Sequence, residues 1–229
     1  MTKNTMRFLY GDRELLLEVA DLFSAPVDVI VNPANGDLLH SGGVAGQCID
    51  KGGEIIQQES ARFIEEHGRL ESGMVALTSA GNLPYQAVLH AVGPRMGEGH
   101  EEEKIRQAVA SCLKVCSMHD WHSIAFPAIS SGIFKVPVAL VARGLFQAIT
   151  SFWDARIDEP PGKIIICLTK DNFQAFLEAF REASMLPDEA GHGTQLTRTD
   201  APGVETGIVE LDEEDISALE DDEVNDWFK

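Results

Sequence analysis

The sequence predicts an α/β domain layered around a largely parallel or mixed sheet of six strands. Two observations lead to this fold class. Apolar runs of strand length alternate along the chain with longer segments of helical periodicity. The chain has 229 residues, 44% of them hydrophobic, which suffices for one sizeable core and an appendage.

The alternation extends to about residue 184. Strands are predicted within residues 6–10, 27–32, 74–80, 87–92, 123–129 and 163–169. Helices are predicted within residues 13–23, 44–67, 101–120, 136–153 and 172–184. Ligands of layered α/β folds bind at the carboxyl ends of the strands, so we expect functional residues in the loops that follow them.

Composition divides the chain into three parts. Residues 1–186 form the predicted domain, and residues 187–207 are rich in Gly, Thr, Pro and Asp, which predicts a flexible linker. Residues 208–229 form an acidic tail with too few apolar residues to fold alone, which predicts a disordered segment. Residues 187–229 hold 14 acidic and two basic side chains, so they carry most of the formal net charge of −19.

Charge and cysteine content exclude several classes of function. A strongly acidic protein is repelled by DNA and by anionic membranes, so we expect neither as a partner. Four cysteines without paired metal-ligand spacing predict neither disulfides nor a zinc site. We read Cys48, Cys112, Cys116 and His90 as core residues. Without a signal peptide or membrane span, we expect an intracellular monomer, cytoplasmic or nuclear.

Two glycine-containing loops carry the chemistry. Ser41, Gly42 and Gly43 follow a strand and open a helix, and residues 125–137 repeat that arrangement. Glycines let backbone N–H groups approach a phosphate, and a helix N-terminus adds its positive dipole end. The loops match neither the Walker A nor the GxGxxG pattern. They predict an anion site built without Lys or Arg, with simple tight turns as the alternative.

The motifs in these loops resemble those of macrodomains, the ADP-ribose-binding modules. The resemblance covers residues 6–184 and implies a three-layer α/β/α fold with a central six-stranded mixed sheet. The motifs that carry it are Gly11-Asp12, VDVIVNPAN at Val27–Asn35, HSGGVAG at His40–Gly46, HAVGP at His90–Pro94 and AISSGIF at Ala128–Phe134.

The resemblance also implies which residues bind ADP-ribose. Asp12 corresponds to the residue that accepts a hydrogen bond from adenine, and Asn32 and Asn35 correspond to ribose-side asparagines, whose amides suit vicinal hydroxyls. The remaining implied ligand contacts are Gly42, Gly43, Val44 and Ala45 in the first loop and Ser130, Ser131, Gly132, Ile133 and Phe134 in the second. No metal or resident cofactor is implied.

Activity is implied less directly, because macrodomains either bind ADP-ribose marks or remove them. The GGVAG sequence at Gly42–Gly46 is similar to the viral-type, hydrolase-like branch, and Ala45 replaces the Asp of another hydrolase branch. In that likeness Asn35, His40 and Gly43 are the catalytic candidates, and the reaction is removal of mono-ADP-ribose from acidic residues. The alternatives are a non-catalytic reader of ADP-ribosylated proteins and an O-acetyl-ADP-ribose deacetylase.

The tail suggests a separate partner. Ile208, Val209 and Leu211, followed by four acidic residues, resemble a SUMO-interacting motif, in which an apolar strand adds to a sheet edge and acids meet a basic rim. The tail would then recruit SUMO or another protein with a basic surface. A solvated acidic tail without a partner is the alternative.

Overall fold

The structure is a computed structural model, and it describes residues 5–155, 160–185 and 208–209. The strands are β1 Thr5–Tyr10, β2 Arg13–Val19, β3 Val29–Ala34, β4 Val75–Thr78, β5 Ala87–Val92, β6 Ser123–Pro127, β7 Lys163–Leu168 and β8 Ile208–Val209. The helices are α1 Gly43–Gly52, α2 Glu54–His67, α3 Glu101–His119, α4 Val138–Asp154 and α5 Lys170–Met185, with a short 3₁₀ turn at Leu22–Ser24.

The strands form one mixed sheet in the order β4-β5-β3-β6-β7-β2-β1-β8. The five central strands from β5 to β2 pair in parallel, and β4, β1 and β8 pair antiparallel at the two sides. The predicted mixed α/β sheet is therefore confirmed, and it contains all six predicted strands.

β2 is the strand that the sequence analysis missed. Residues 13–23 were predicted to form a helix, but Arg13–Val19 is a strand between β1 and β7. The three leucines from Leu15 to Leu17 are all buried, and they face alternate sides of the sheet. A strand covered on both faces gives a continuous apolar run, which short-range periodicity cannot distinguish from a buried helix.

Helices cover both faces of the sheet, as the three-layer prediction requires. Side chains of α3, α4 and α5 pack on one face in the largest apolar cluster. Side chains of α1 and α2, such as Cys48 and Ile56, pack on the other face. Cys48, Cys112 and Cys116 are buried free thiols, which confirms their assignment to the core.

The parallel strands end together at one edge of the sheet. The loops after β2, β3, β5, β6 and β7 all start there, at residues 20, 35, 93, 128 and 169. The turn before β2 lies at the opposite edge, because Glu14 pairs with Lys163 at the beginning of β7. The first edge is therefore the place where the fold can assemble a ligand site.

The tail is described only at Ile208 and Val209. Their backbones pair antiparallel with Phe8 and Arg7 of β1, and both residues belong to the apolar motif that the sequence analysis singled out in the tail. Leu211 and the predicted linker lie outside the described residues. Among the described residues, no helix combines the length and apolar character that a membrane crossing requires.

Gly144 allows α4 to pack closely against α3. A Cβ at this buried position would lie 2.9 Å from Ile105 Cγ2 and 3.1 Å from Glu102 O. We expect Gly144→Val to lower the free energy of unfolding by about 1–3 kcal/mol through overpacking. Ala139→Val on the exposed side of α4 is the control. Its helix propensity alone should lower the free energy of unfolding by only about 0.5 kcal/mol. Urea unfolding measures both, and equal effects would contradict the close packing.

Candidate functional site

A cleft of about 460 Å³ lies at the carboxyl edge of the sheet, and we call it the main cleft. Two loops form its opposite walls. The first, here the glycine loop, is residues 41–45 between β3 and α1, and the second, here the serine loop, is residues 128–136 between β6 and α4. The two predicted anion-binding loops therefore face the same cavity.

The glycine loop leads directly into the first turn of α1. Gly43 is the first residue of the helix and has a φ of +60°, a backbone conformation that L side chains rarely adopt. The first helical N–H that finds an intrahelical acceptor is that of Gly46, which donates to Gly42 O at 3.1 Å. The N–H groups of Gly43, Val44 and Ala45 are therefore available to a ligand at the positive end of the helix dipole.

The serine loop is held by local hydrogen bonds and by a neighbouring glycine. Ser130 has a φ of +66°, and its carbonyl accepts from Val136 N at 3.1 Å. Ser131 Oγ donates to Ala128 O at 2.8 Å. Gly93 permits the close approach of β5, because a Cβ there would lie 2.1 Å from Ser130 Oγ. Ser130 Oγ is buried beside the cleft without a partner among the described residues.

The glycine loop and the serine loop approach each other closely at Gly43 and Ile133. Ile133 is 73% exposed, and its Cδ1 would lie 3.8 Å from a Cβ at Gly43. All the residues that the sequence analysis assigned to the two loops line the main cleft: Gly42, Gly43, Val44, Ala45, Ser130, Ser131, Gly132, Ile133 and Phe134. Their spatial convergence agrees with the prediction from the paired motifs.

Asn35 also lines the main cleft, but its amide organises its own loop. Nδ2 donates to Leu39 O at 2.6 Å, and Oδ1 accepts from Asp37 N at 3.0 Å and from Leu39 N at 3.2 Å. One Nδ2 hydrogen remains for a ligand. Asn35 therefore shapes the entry to the glycine loop as well as facing the cavity.

Asn32 and His40 do not line the main cleft, which corrects their predicted positions. Asn32 is 1% exposed and His40 is 8% exposed. Asn32 Nδ2 lies 3.1 Å from His40 Nδ1 and 3.0 Å from Nδ1 of His90, its register partner on β5. The side chain of Asn32 is directed into the protein because it faces His90 across the parallel pair, away from the loop.

The hydrogen bonds of this network define neutral histidines. Thr78 Oγ1 donates to Ser79 O at 3.0 Å, so it accepts from His90 Nε2 at 2.8 Å. His90 Nδ1 is then an acceptor for Asn32. By the same pattern His40 Nδ1 accepts from Asn32 and Nε2 donates to Ser60 Oγ at 3.0 Å. The network joins β4, β5 and β3 to the residue before the glycine loop and to α2.

Burial also opposes a positive charge on either ring. It lowers the pKa of His40 to about 4. Burial, with the neighbouring His40 as a smaller cause, lowers the pKa of His90 to about 3. His90 is a core histidine, as the sequence predicted. His40 is a neutral structural group rather than a titrating residue in the cleft.

Asp12 is placed far from the main cleft, which corrects the predicted adenine contact. It lies exposed in the turn between β1 and β2, at the opposite edge of the sheet. Asp21, which follows β2, lines the cleft instead and caps the 3₁₀ turn by accepting from Phe23 N at 3.1 Å. The sequence feature that could have identified Asp21 is its position just after a strand. That feature was not recognised because residues 13–23 were predicted to form a helix.

The same end of the cleft contains other residues that the sequence analysis did not assign. Leu22, Phe23, Thr169 and Asn172 line it together with Asp21. Phe173, the residue after Asn172, is buried in the large apolar cluster and does not line the cleft. The described residues bring together no group of three or more His, Cys, Asp or Glu that could hold a metal ion.

A second cavity of about 730 Å³ adjoins the main cleft, and we call it the side cleft. Both clefts are lined by Asn35, Arg95 and Phe134, so the two are continuous at the end opposite Asp21. The side cleft is polar, with charged side chains from α3 and from the loops after β3, α2 and β5.

Comparison with known proteins identifies the class. A family model described as Macro domain matches residues 31–145. The chain therefore belongs to the macrodomain family, which confirms the resemblance and the fold predicted from the motifs.

Individual relatives agree with this assignment. The chain is 39% identical over 177 residues to an uncharacterized protein of Pyrobaculum aerophilum, covering 77% of this chain and 96% of the relative. It is 32% identical over 172 residues to an O-acetyl-ADP-ribose deacetylase of Enterobacter sp., covering 74% of this chain and 95% of that enzyme. A variant of the Oceanobacillus iheyensis macrodomain solved with ADP-ribose is 27% identical, with a TM-score of 0.72, covering 78% of this chain and 97% of that chain.

The neutral histidines predict a pH-dependent stability. Their folded-state pKa values lie below the unfolded value of about 6.5, so the unfolded chain binds more protons as the pH falls below it. His40 therefore stabilises the fold fully above that value and progressively less towards a pH of about 4. Between about pH 7 and about pH 5 the wild type should lose about 2 kcal/mol more stability than His40→Gln.

Urea unfolding at the two pH values measures this difference. Gln keeps a donor for Ser60 but does not titrate, so the comparison isolates the imidazole. An identical pH dependence in the two proteins would show that His40 is not held neutral in the fold.

Proposed function

We propose that the main cleft binds ADP-ribose and that the protein removes mono-ADP-ribose from acidic residues of modified proteins. The observation that carries the proposal is the convergence of the glycine loop and the serine loop on one cavity. Their backbone N–H groups can hold the two phosphates of a diphosphate from opposite sides. The solved relative with ADP-ribose bound supports this choice of ligand.

The size and lining of the cleft suit phosphate binding by backbone N–H groups rather than by cationic side chains. About 460 Å³ is within the usual range for small-molecule sites. Arg95 is the one cationic side chain among the described residues that line it. The ligand charge must therefore be met mainly by backbone dipoles, and these act at short range without being cancelled by the acidic surface.

We place the adenine at the Asp21 end and the distal ribose at the Asn35 end. Carboxylate and amide oxygens at Asp21 and Asn172 can accept hydrogen bonds from the exocyclic amino group. At the other end, Asn35 and Phe134 border the opening into the side cleft. That opening leaves room for the protein side chain attached to the distal ribose.

The proposed reaction is hydrolysis of the ester between C1 of the distal ribose and a protein carboxylate. The oxygen of a water adds to C1 or to the ester carbonyl, the ester bond breaks, and a proton goes to solvent. Positioning and charge stabilisation supply the acceleration. The N–H groups of Gly43 to Ala45, together with a ligand phosphate, orient the water.

This chemistry assigns no proton transfer to His40. Its ring is buried, both of its nitrogens are committed to Asn32 and Ser60, and its pKa is lowered to about 4 by burial. Its proposed role is to fix the start of the glycine loop. Asn35 fixes the ribose and its own loop, as its hydrogen bonds allow.

Deacetylation of O-acetyl-ADP-ribose is the second candidate, and the Enterobacter relative favours it. That reaction breaks an ester of the same ribose, and a water held in the same position would carry it out. The pocket accommodates both reactions, so they are distinguished by the ester offered. A reader without hydrolytic activity is the third candidate, and it uses the cleft for binding alone.

Incubation with a protein mono-ADP-ribosylated on glutamate tests the proposal. We expect release of ADP-ribose over many turnovers, and micromolar binding of free ADP-ribose by calorimetry, on the order of −8 kcal/mol. O-acetyl-ADP-ribose is offered in parallel. Binding without release of either group would leave a reader, and absence of binding would contradict the proposed ligand.

Two glycine variants connect the activity to the glycine loop. Gly43→Val places a side chain beside Ile133 in the cleft, and Gly11→Val has a similar φ but open space in the distant β1–β2 turn. Both should lose about 1–2 kcal/mol of stability from the left-handed backbone. Only Gly43→Val should lose ADP-ribose affinity, and equal affinities in the two variants would remove the loop from the site.

A further inference from the structure

The side cleft continues the main cleft beyond the proposed distal ribose. The two cavities share Asn35, Arg95 and Phe134, and the side cleft adds Arg69, Glu71 and Lys104. A group attached to C1 of the distal ribose would have to lie at this junction. The residues at the junction are therefore the ones that meet the modified side chain.

Most of the charges of the side cleft are already paired. Arg69 Nε lies 3.2 Å from Asp37 Oδ1, and Lys104 Nζ lies 2.8 Å from Glu98 Oε1. Arg95 differs, because no ion pair to its guanidinium is found among the described residues. It is an exposed cation that lines both cavities.

Arg95 is nevertheless held in place. Its guanidinium carbon lies 4.3 Å from the centroid of the Phe134 ring. Its backbone N–H donates to Glu98 Oε2 at 3.0 Å, which fixes the start of the loop. Glu98 also accepts from Lys104, and this hydrogen bond is the largest cause of the lowering of its pKa to about 2. The carboxylate of Glu98 is thus engaged elsewhere, and the guanidinium edge remains available.

We propose that Arg95 recognises the modified carboxylate of the substrate protein and makes the site selective for acyl-linked ADP-ribose. A guanidinium donates to an ester carbonyl and matches a carboxylate with two parallel N–H groups. When the ester bond breaks, the electron pair remains on the departing carboxylate, and Arg95 meets the charge that develops there. This inference rests on the proposed function and deepens it.

The arrangement favours a carboxylate over a ligand phosphate as the partner of Arg95. The diphosphate already has the N–H groups of the glycine and serine loops. Arg95 lies against the Phe134 ring, where the main cleft meets the side cleft. If Arg95 bound the diphosphate, its substitution would weaken the binding of free ADP-ribose. If it binds the modified carboxylate, its substitution would weaken only the binding of the modified peptide.

The test compares two ligands across four proteins. The ligands are free ADP-ribose and a peptide ADP-ribosylated on glutamate in which nitrogen replaces the ester oxygen, so that it is not hydrolysed. The proteins are wild type, Arg95→Gln, Arg95→Lys and the control Arg62→Gln, which removes an equal charge from the exposed face of α2. Calorimetry measures both affinities, and the rate of release from the natural ester is measured alongside.

We expect Arg95→Gln to weaken peptide binding by about tenfold or more and to leave free ADP-ribose binding unchanged. Release from the ester should slow by a similar factor. Arg95→Lys should recover part of both losses, and Arg62→Gln should behave as wild type.

Other outcomes overturn the proposal in distinct ways. Equal weakening of both ligands by Arg95→Gln would assign Arg95 to the diphosphate, and unchanged peptide binding would remove it from recognition altogether. If the wild type binds both ligands but releases nothing, the hydrolase proposal fails while the peptide comparison still decides the role of Arg95. Failure of the wild type to bind free ADP-ribose would remove both proposals together.

Discussion

The parallel pairing of β3 with β5 and β6 is the constraint on which the site depends. It brings the ends of β3 and β6 to the same edge, so the glycine loop and the serine loop must face each other. The same register places Asn32 opposite His90. From that pair the hydrogen-bond network extends to His40, immediately before the glycine loop, and to Ser60 on α2. The geometry of the cleft is thus continuous with the interior of the sheet.

The proposed backbone-based anion site suits a protein of this charge. The sequence has 37 acidic and 18 basic residues, so long-range electrostatics do not attract a diphosphate. N–H groups at a helix start act within a few ångströms and do not titrate. Lysine or arginine side chains would add attraction but also pair with the abundant carboxylates, as Arg69 and Lys104 do. Arg95 keeps its charge available because Phe134 and a backbone hydrogen bond hold it in place.

The sequence predicts the parts of the site that depend on backbone conformation. Glycines after a strand and before a helix identify both loops, and the alternation of elements brings them to one edge. It does not predict side-chain direction at Asn32, because that depends on which residue of β5 lies opposite. Nor does it predict the place of Asp21, since a strand buried on both faces has no diagnostic period. The missing β2 also explains the assignment of Asp12 to adenine. Without β2, the end of β1 was taken to lie at the same edge as the ends of the parallel strands.

Backbone amide shifts on titration with ADP-ribose test the central claim most directly. The account predicts that the resonances of Gly43, Val44 and Ala45 shift together with those of Ser131 to Phe134, at a common affinity. The amides near Asp12 should not move, because that turn lies at the opposite edge of the sheet. Shifts confined to one loop, or absent from both, would contradict a diphosphate held between the two.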